Sequence, residues 1–123
     1  MPRKIVDFPS PKGLPFSAAA WAGDLLYLSG QVGYDAKTES LVAGGAAGQT
    51  EKIFENVTAL LKAAGKSLDD VVKANVYLVS MEDFAAMNEV YARCFTAPFP
   101  ARTSIQVAGL PLGARVEIEM IAR

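Results

Sequence analysis

Only two segments of this chain place apolar residues at the three- and four-residue spacing of an amphipathic helix. The first predicts a helix from Gln49 to Ala64, and Gly65 stands where a C-terminal cap belongs. The apolar stripe of the second helix consists of Phe84, Met87, Tyr91 and Phe95. Because two helices are too few to surround a sheet, they restrict the chain to folds in which one sheet face has no helical cover.

Runs with a two-residue alternation predict the strands of that sheet. Residues 17–22 and 25–32 flank a Gly-Asp pair, which is typical of a hairpin turn. Residues 71–79 alternate between the two helices. The last two runs, residues 103–108 and 114–122, are separated by the turn sequence GLPLG and predict a second hairpin. The predicted order of elements is therefore ββαβαββ.

The uncovered sheet face is predicted to mix apolar and polar side chains. Its residues are Lys73, Tyr77, Val79, Gln106, Ala108, Glu117, Glu119 and Ile121. Such a face is too apolar for comfortable solvation and too polar for a core, so we expect a partner subunit to cover it. The sequence thus predicts an α/β (α+β) fold in which one mixed sheet carries both helices on one face, assembled as a homo-oligomer.

Length and composition argue against several classes of protein. With 123 residues, 51% of them hydrophobic and 20% charged, the chain is expected to form one domain, residues 1–123. A net charge of −1 argues against a basic nucleic-acid-binding stripe. No apolar run approaches the roughly 18 residues of a membrane span, and the N-terminus has no signal-peptide core, so we expect a cytoplasmic protein.

The absence or scarcity of certain amino acids argues against several kinds of catalytic and metal site. The chain has no histidine, which removes the commonest general base and the commonest metal ligand, so we expect no metal and no cofactor. Cys94 is the single cysteine and is predicted to be a small buried hydrophobic residue in a reducing compartment. The segment AGGAAGQ lacks the lysine of a phosphate-binding loop and is predicted to be a flexible loop.

Arg102 and Glu117 stand at positions that suggest either a structural or a chemical role. If Val116 and its alternating apolar neighbours pack on the helices, Arg102 and Glu117 both belong to the uncovered face. An interfacial salt bridge is then the simpler interpretation, and a ligand site is the alternative. Asn88 is a boundary amide of the second helix. Gly30 forms a bulge or lets the backbone approach a ligand.

Five segments in collinear order, which cover nearly the whole chain, together resemble the Rid family, the reactive-intermediate imine deaminases also called YjgF proteins. The segments are LYLSGQVG, LLKAAG, SLDDVVKANVYL, MEDFAAMNEVYARCF and FPARTSIQVAGLPLGARVEIEMIA. The last of them is similar to the signature of that family.

This resemblance implies a chorismate-mutase-like fold that assembles as a trimer, with three sheets around a central barrel and ligand clefts between subunits. It implies cofactor-free hydrolysis of 2-imino or enamino acids, such as 2-iminobutanoate and 2-iminopropanoate, to 2-keto acids and ammonia. By the same resemblance, Arg102 binds the substrate carboxylate and Glu117 is associated with the hydrolytic water. Asn88 and Gly30 line the cleft.

Two expected cleft positions depart from the family pattern. In Leu14-Pro15-Phe16 the ring of Phe16 stands where many active members carry tyrosine, so a hydroxyl is lost. Ser104 replaces a common cysteine two residues after Arg102. The loss of the hydroxyl at Phe16 is expected to affect the rate or the substrate preference. The change at Ser104 is expected to affect activity less if that position acts through its backbone.

The same resemblance leaves three alternative functions open. A non-catalytic small-molecule-binding or chaperone-like role is one, and a deaminase of the 2-aminomuconate type is another. An endoribonuclease or translation inhibitor is the third, and the absence of histidine and the net charge of −1 argue against it.

Overall fold

The computed structural model describes residues 2–9 and 13–123. Eight strands are found there: β1 (Ala19–Ala22), β2 (Leu25–Leu28), β3 (Gln31–Val32), β4 (Tyr34–Asp35), β5 (Ser40–Leu41), β6 (Val71–Leu78), β7 (Ala101–Gln106) and β8 (Val116–Ala122). The two α-helices of this part of the chain are α1 (Gly45–Ala63) and α2 (Phe84–Cys94). Neither helix is long and apolar enough to cross a membrane.

The larger elements follow the predicted order ββαβαββ, with β3, β4 and β5 as additional two-residue strands. The main sheet has the order β1-β2-β8-β6-β7, and β3 also pairs with β8. β6 and β7 run parallel, whereas the other pairs of this sheet are antiparallel. Buried residues of both helices join those of the strands in one core. The predicted mixed sheet with two helices on one face is therefore confirmed.

The predicted C-terminal hairpin is wrong, because β6 lies between β7 and β8. Ala74 of β6 is opposite Arg102 on one side and opposite Met120 on the other. The physical reason is burial: β8 places four apolar side chains in the core, while every residue of β7 is at least partly exposed. The more apolar strand takes the central position, where both of its edges are paired. The GLPLG segment instead contains a short 3-10 turn, Pro111–Gly113.

The face of β8 that was predicted to pack on the helices does so. Val116, Ile118 and Met120 are each at most 2% exposed and belong to the main core. They lie opposite the equally buried Leu78, Val76 and Ala74 of β6. From Ala74 onward in β6, and throughout β8, the even-numbered side chains therefore face the helices. The odd-numbered side chains face the other side, which is called the open face below. The register irregularity between Val71 and Lys73 reverses this pattern at the start of β6, where Val71 is buried and Val72 is exposed.

Helix α1 begins four residues before the predicted start, so the prediction of a flexible loop is wrong for residues 45–49. Gly44 and Gly45 have φ values of 103° and 64°, a region that favours glycine. An added Cβ at Gly48 would lie 2.3 Å from the carbonyl oxygen of Ala43. The glycines thus allow a sharp turn and a close backbone approach at the beginning of the helix.

An aromatic cluster joins the two helices. The ring centroids of Phe54 in α1 and Tyr91 in α2 are 5.6 Å apart, and Phe95 lies 5.3 Å from Phe54 and 4.9 Å from Tyr91. Aromatic pairs at such distances contribute about 0.5–1.5 kcal/mol beyond their buried area. Cys94 is partly buried and packs against the same core, and burial raises the pKa of its thiol. This agrees with its predicted role as a small hydrophobic residue.

Candidate functional site

The residues predicted to form the site fall into two groups on opposite faces of the sheet. Arg102 pairs with Ala74, which is fully buried, so its side chain lies on the helix side. Glu117 pairs with Tyr77 and lies on the open face. The prediction that both belong to the uncovered face is therefore wrong. It fails because β7 presents polar side chains to the helices, while Ile105 stays 46% exposed on the open face.

The first group, the arginine half-site, consists of Arg102, Asn88, Phe84, Tyr91 and Ser104. Arg102 donates a hydrogen bond from Nη1 to Oδ1 of Asn88 over 2.7 Å. Its guanidinium carbon lies 4.7 Å from the ring centroid of Tyr91 and 5.6 Å from that of Phe84. Positions 84, 88 and 91 share one side of α2 because they are four and three residues apart. Cation–π contacts of this kind contribute roughly 0.5–2 kcal/mol each.

The guanidinium of Arg102 retains unused hydrogen-bonding capacity. An arginine has five N–H donors in a planar fork, and within residues 2–9 and 13–123 the side chain of Arg102 has one hydrogen-bond acceptor and no salt-bridge partner. The hydroxyl oxygens of Tyr91 and Ser104 are buried and have no hydrogen-bond partner in the same part of the chain. Such a fork matches a planar carboxylate, which it can hold with two parallel bonds.

The second group, the glutamate half-site, is built around Glu117 and Gly30. Gly30 lies in the short interruption between β2 and β3, and β3 continues beside β8 with Val32 opposite Glu117. An ideal Cβ at Gly30 would lie 2.6 Å from Oε2 of Glu117 and 2.9 Å from its Cδ. The glycine is therefore explained by the space that the glutamate side chain occupies. The predicted bulge is confirmed, because Tyr27 and Gln31 lie opposite Ile121 and Ile118 of β8, which leaves one extra residue on the segment that contains Gly30.

The electrostatic environment of Glu117 favours its neutral form. Burial, and secondarily the negative charge of Glu119, raise the pKa of the Glu117 carboxyl. Glu119 accepts hydrogen bonds from Nδ2 of Asn75 over 3.1 Å and from the hydroxyl of Tyr77. The bond to Glu119 is the main reason why the pKa of Tyr77 is raised to about 12. A carboxylate with a raised pKa is a better proton acceptor near neutral pH than an ordinary glutamate.

Phe16 lies with the glutamate half-site and not with Arg102. It lines a groove of about 520 Å³ together with Arg3, Tyr27, Ser29 and Glu119. Ser29 directly precedes Gly30, and Glu119 shares the open face with Glu117. The ring of Phe16 is 48% exposed, so it is available to a ligand or to another subunit.

Sequence reasoning missed two sets of residues near these half-sites. Phe84 and Tyr91 were assigned only to the core stripe, yet they also contact the Arg102 guanidinium. Their spacing from Asn88 was the signal that would have grouped all three. The network of Asn75 and Tyr77 with Glu119 was also missed, because it depends on the register between β6 and β8.

Comparison with known proteins gives the family. Residues 9–123 match the family described as Endoribonuclease L-PSP. The chain belongs to this family, which is also called Rid, RutC or YjgF. A RutC family protein of Pyrococcus horikoshii is 48% identical over 114 residues, which are 93% of this chain and 90% of the relative. The resemblance to the Rid family that the sequence showed is thereby confirmed.

Members of the Rid family that are similar to this chain carry more than one name. A protein of Dermatophagoides farinae that is 40% identical over 98% of this chain and 95% of its own length is named 2-iminobutanoate/2-iminopropanoate deaminase. The crystal structure of RidA from the Antarctic bacterium Psychrobacter sp. PAMC 21119 superposes with a TM-score of 0.87 at 44% identity, over 98% of this chain and 96% of RidA. The fold of this Rid protein is thus the chorismate-mutase-like fold of its solved relatives.

Proposed function

We propose that this Rid protein is a 2-iminobutanoate/2-iminopropanoate deaminase, which hydrolyses reactive 2-imino and enamino acids to 2-keto acids and ammonia. The observation that carries the proposal is the planar fork of Arg102, held by Asn88 and two aromatic rings, without a carboxylate partner in the described part of the chain. Every 2-imino acid has a carboxylate next to its reactive carbon. Relatives that carry the deaminase name support the same reading.

The positions of the half-sites support a composite site. A carboxylate bound by Arg102 on the helix side lies across the sheet from Glu117 of the same chain. Glu117, Gly30 and Phe16 are therefore supplied by a neighbouring subunit. We propose the homotrimer that the family resemblance implies, with the three open faces turned toward a central barrel. Tyr27 and Ile105 are 47% and 46% exposed, as expected for apolar side chains that a neighbour covers.

Hydrolysis then needs only orientation and one proton acceptor. A protonated imine is already electrophilic, and Arg102 fixes its carboxylate with charge-assisted bonds of about 1.5–3 kcal/mol each. Glu117 of the neighbouring subunit takes a proton from a water molecule as the oxygen attacks C2. It returns that proton to the nitrogen of the tetrahedral intermediate. As the C–N bond breaks, Glu117 accepts the proton of the new hydroxyl group, so that the keto acid and ammonia are formed, and it then releases this proton to ammonia or solvent. Water adds, ammonia leaves, and no metal or other cofactor is required.

The other residues of the site have supporting roles. Asn88 orients Arg102, Ser104 contacts the substrate through its backbone, and the ring of Phe16 bounds the space for the substrate side chain. The endoribonuclease activity in the family's name is not proposed, since a net charge of −1 provides no basic track for a phosphate backbone.

Ammonia release from freshly generated 2-iminobutanoate tests the proposal. Wild-type protein is expected to accelerate release, and Glu117→Gln is expected to lose most of this acceleration while it still binds 2-oxobutanoate. Light scattering on the same samples is expected to give the mass of a trimer. Wild-type protein that binds the keto acid without accelerating hydrolysis would support the non-catalytic binding role instead.

A further inference from the structure

We infer that Tyr91 is a positioning residue for Arg102: its ring, fixed in the core by Phe54 and Phe95, sets the plane of the guanidinium that receives the substrate carboxylate. This inference rests on the proposed function, because it assigns Arg102 to carboxylate binding. It adds a residue to the site that neither the sequence motifs nor the names of the relatives assign.

The location of Tyr91 connects the core to the site. Its side chain is 4% exposed, so nearly all of its surface is in contact with protein. The edge-on contact with Phe54, at an interplanar angle of 85°, and the tilted contact with Phe95, at 56°, hold the ring from within the core. The ring also faces Arg102, with 4.7 Å between its centroid and the guanidinium carbon. Phe84 is only partly buried and lies farther from the guanidinium, at 5.6 Å.

One hydrogen bond is not enough to orient the fork. The bond to Asn88 fixes one N–H group, but the guanidinium can still rotate about that contact. The Tyr91 ring, whose centroid lies 4.7 Å from the guanidinium carbon, restricts the plane of the guanidinium, since cation–π attraction depends on the ring face. Asn88 and Tyr91 together therefore leave the remaining donors in a defined plane before the substrate arrives. Preorganised groups bind more tightly because less side-chain freedom is lost on binding.

The hydroxyl of Tyr91 is not what holds Arg102. It is buried and has no hydrogen-bond partner among the residues that the structure describes. Burial raises the pKa of this phenol, although the nearby positive charge of Arg102 acts in the opposite direction, so the group stays neutral. If Tyr91 positions Arg102 through its ring, phenylalanine at this position should keep the Arg102 guanidinium equally ordered.

Three variants separate positioning from general packing. Tyr91→Phe keeps the ring, and Tyr91→Leu removes it. Leu26→Ala is the control for general packing, because Leu26 is a fully buried core residue of β2, a strand that β8 and β6 separate from β7. If Tyr91→Leu does not fold, Tyr91→Met takes its place, since the flexible methionine side chain fills irregular space.

The measurements are KM and kcat for imine hydrolysis, the Kd of 2-oxobutanoate by calorimetry, Tm, and ¹⁵N relaxation of the Arg102 Nε–H group. Tyr91→Leu is expected to raise KM and Kd about tenfold, equivalent to 1.4 kcal/mol, with kcat within about twofold. It should also lower the order parameter of Arg102. Tyr91→Phe keeps the ring and should keep the wild-type order parameter of Arg102. Leu26→Ala should lower Tm but leave KM, Kd and the order parameter unchanged.

Two results would overturn the inference. One is an equal rise in KM for Tyr91→Leu and Leu26→Ala, which would show a general packing effect. The other is an Arg102 order parameter that Tyr91→Leu leaves unchanged. The relaxation measurement needs no turnover, so a wild-type protein that fails to hydrolyse imines would refute the proposed function and still leave the contribution of Tyr91 to the order of Arg102 measurable.

Discussion

Substitution of Gly30 by alanine tests whether the position of the Glu117 carboxylate controls turnover. The added Cβ would lie 2.6 Å from Oε2 of Glu117, 2.9 Å from Cδ and 3.2 Å from Cγ. To restore ordinary van der Waals separation, the carboxylate must move by about 1 Å. Because the colliding atoms belong to the end of a flexible side chain, this movement should cost little stability.

The expected effect is therefore on catalysis. A misplacement of about 1 Å can lower the rate about 100-fold when geometry determines the reaction. Gly30→Ala should thus lower kcat about 100-fold, while KM changes little because Arg102 lies in the other half-site. The assay is ammonia release at saturating 2-iminobutanoate, with Tm measured on the same preparation. Gly109→Ala is the matched control, since an added Cβ at that position meets no atom of the described chain within 4 Å.

A double variant makes this prediction sharper. If Gly30→Ala acts by moving Glu117, then adding it to Glu117→Gln should cause little further loss, because the two changes remove the same contribution. Turnover of Gly30→Ala within about threefold of the Gly109→Ala control, with an unchanged Tm, would refute the reasoning. Fully additive losses in the double variant would also show that Gly30 acts on something other than Glu117.

Three further predictions concern charge and pocket shape. Glu119→Gln removes a negative charge that raises the pKa of Glu117. Because activity requires ionised Glu117, the fall of kcat/KM at acid pH should move to lower pH. An unchanged pH profile would show that the charge of Glu119 does not influence Glu117. Arg102→Lys keeps the charge but loses the planar fork, and should lower kcat/KM about 10- to 100-fold in a protein that still folds. Near wild-type turnover would leave Arg102 with a structural role only. Phe16→Tyr should alter kcat/KM modestly and unequally for small and bulky imino acids, and identical unchanged values for both would place Phe16 outside the pocket.

The order of elements was predictable because it depends on local patterns. Helix spacing and strand alternation are read within a single segment, and α1, α2 and β6 appeared close to where they were expected. The position of β8 between β2 and β6 was not predictable in this way, since strand adjacency is decided by which strands bury the most apolar surface. The turn sequence between residues 103–108 and 114–122 indicated a hairpin, but β6 lies between β7 and β8 in the sheet.

The sequence selected candidate residues for the site but not their arrangement in space. The family resemblance selected Arg102 and Glu117, and alternation alone placed them on the same face. The argument from alternation failed in β7, because the side chains of β7 that face α2 are polar and Ile105 points away from the helix. An arginine that contacts an amide and two aromatic rings can take the place of an apolar side chain, and only the contacts with α2 show this.

The separation of Arg102 and Glu117 by the sheet has a genetic consequence. If each site joins the arginine of one subunit to the glutamate of another, two chains that are each inactivated at a different one of these residues should complement each other when they are co-expressed. In a randomly mixed population of equal amounts, about a quarter of the interfaces would join an intact arginine to an intact glutamate. A cell that carries both defective alleles would then recover activity, whereas a cell with either allele alone would not.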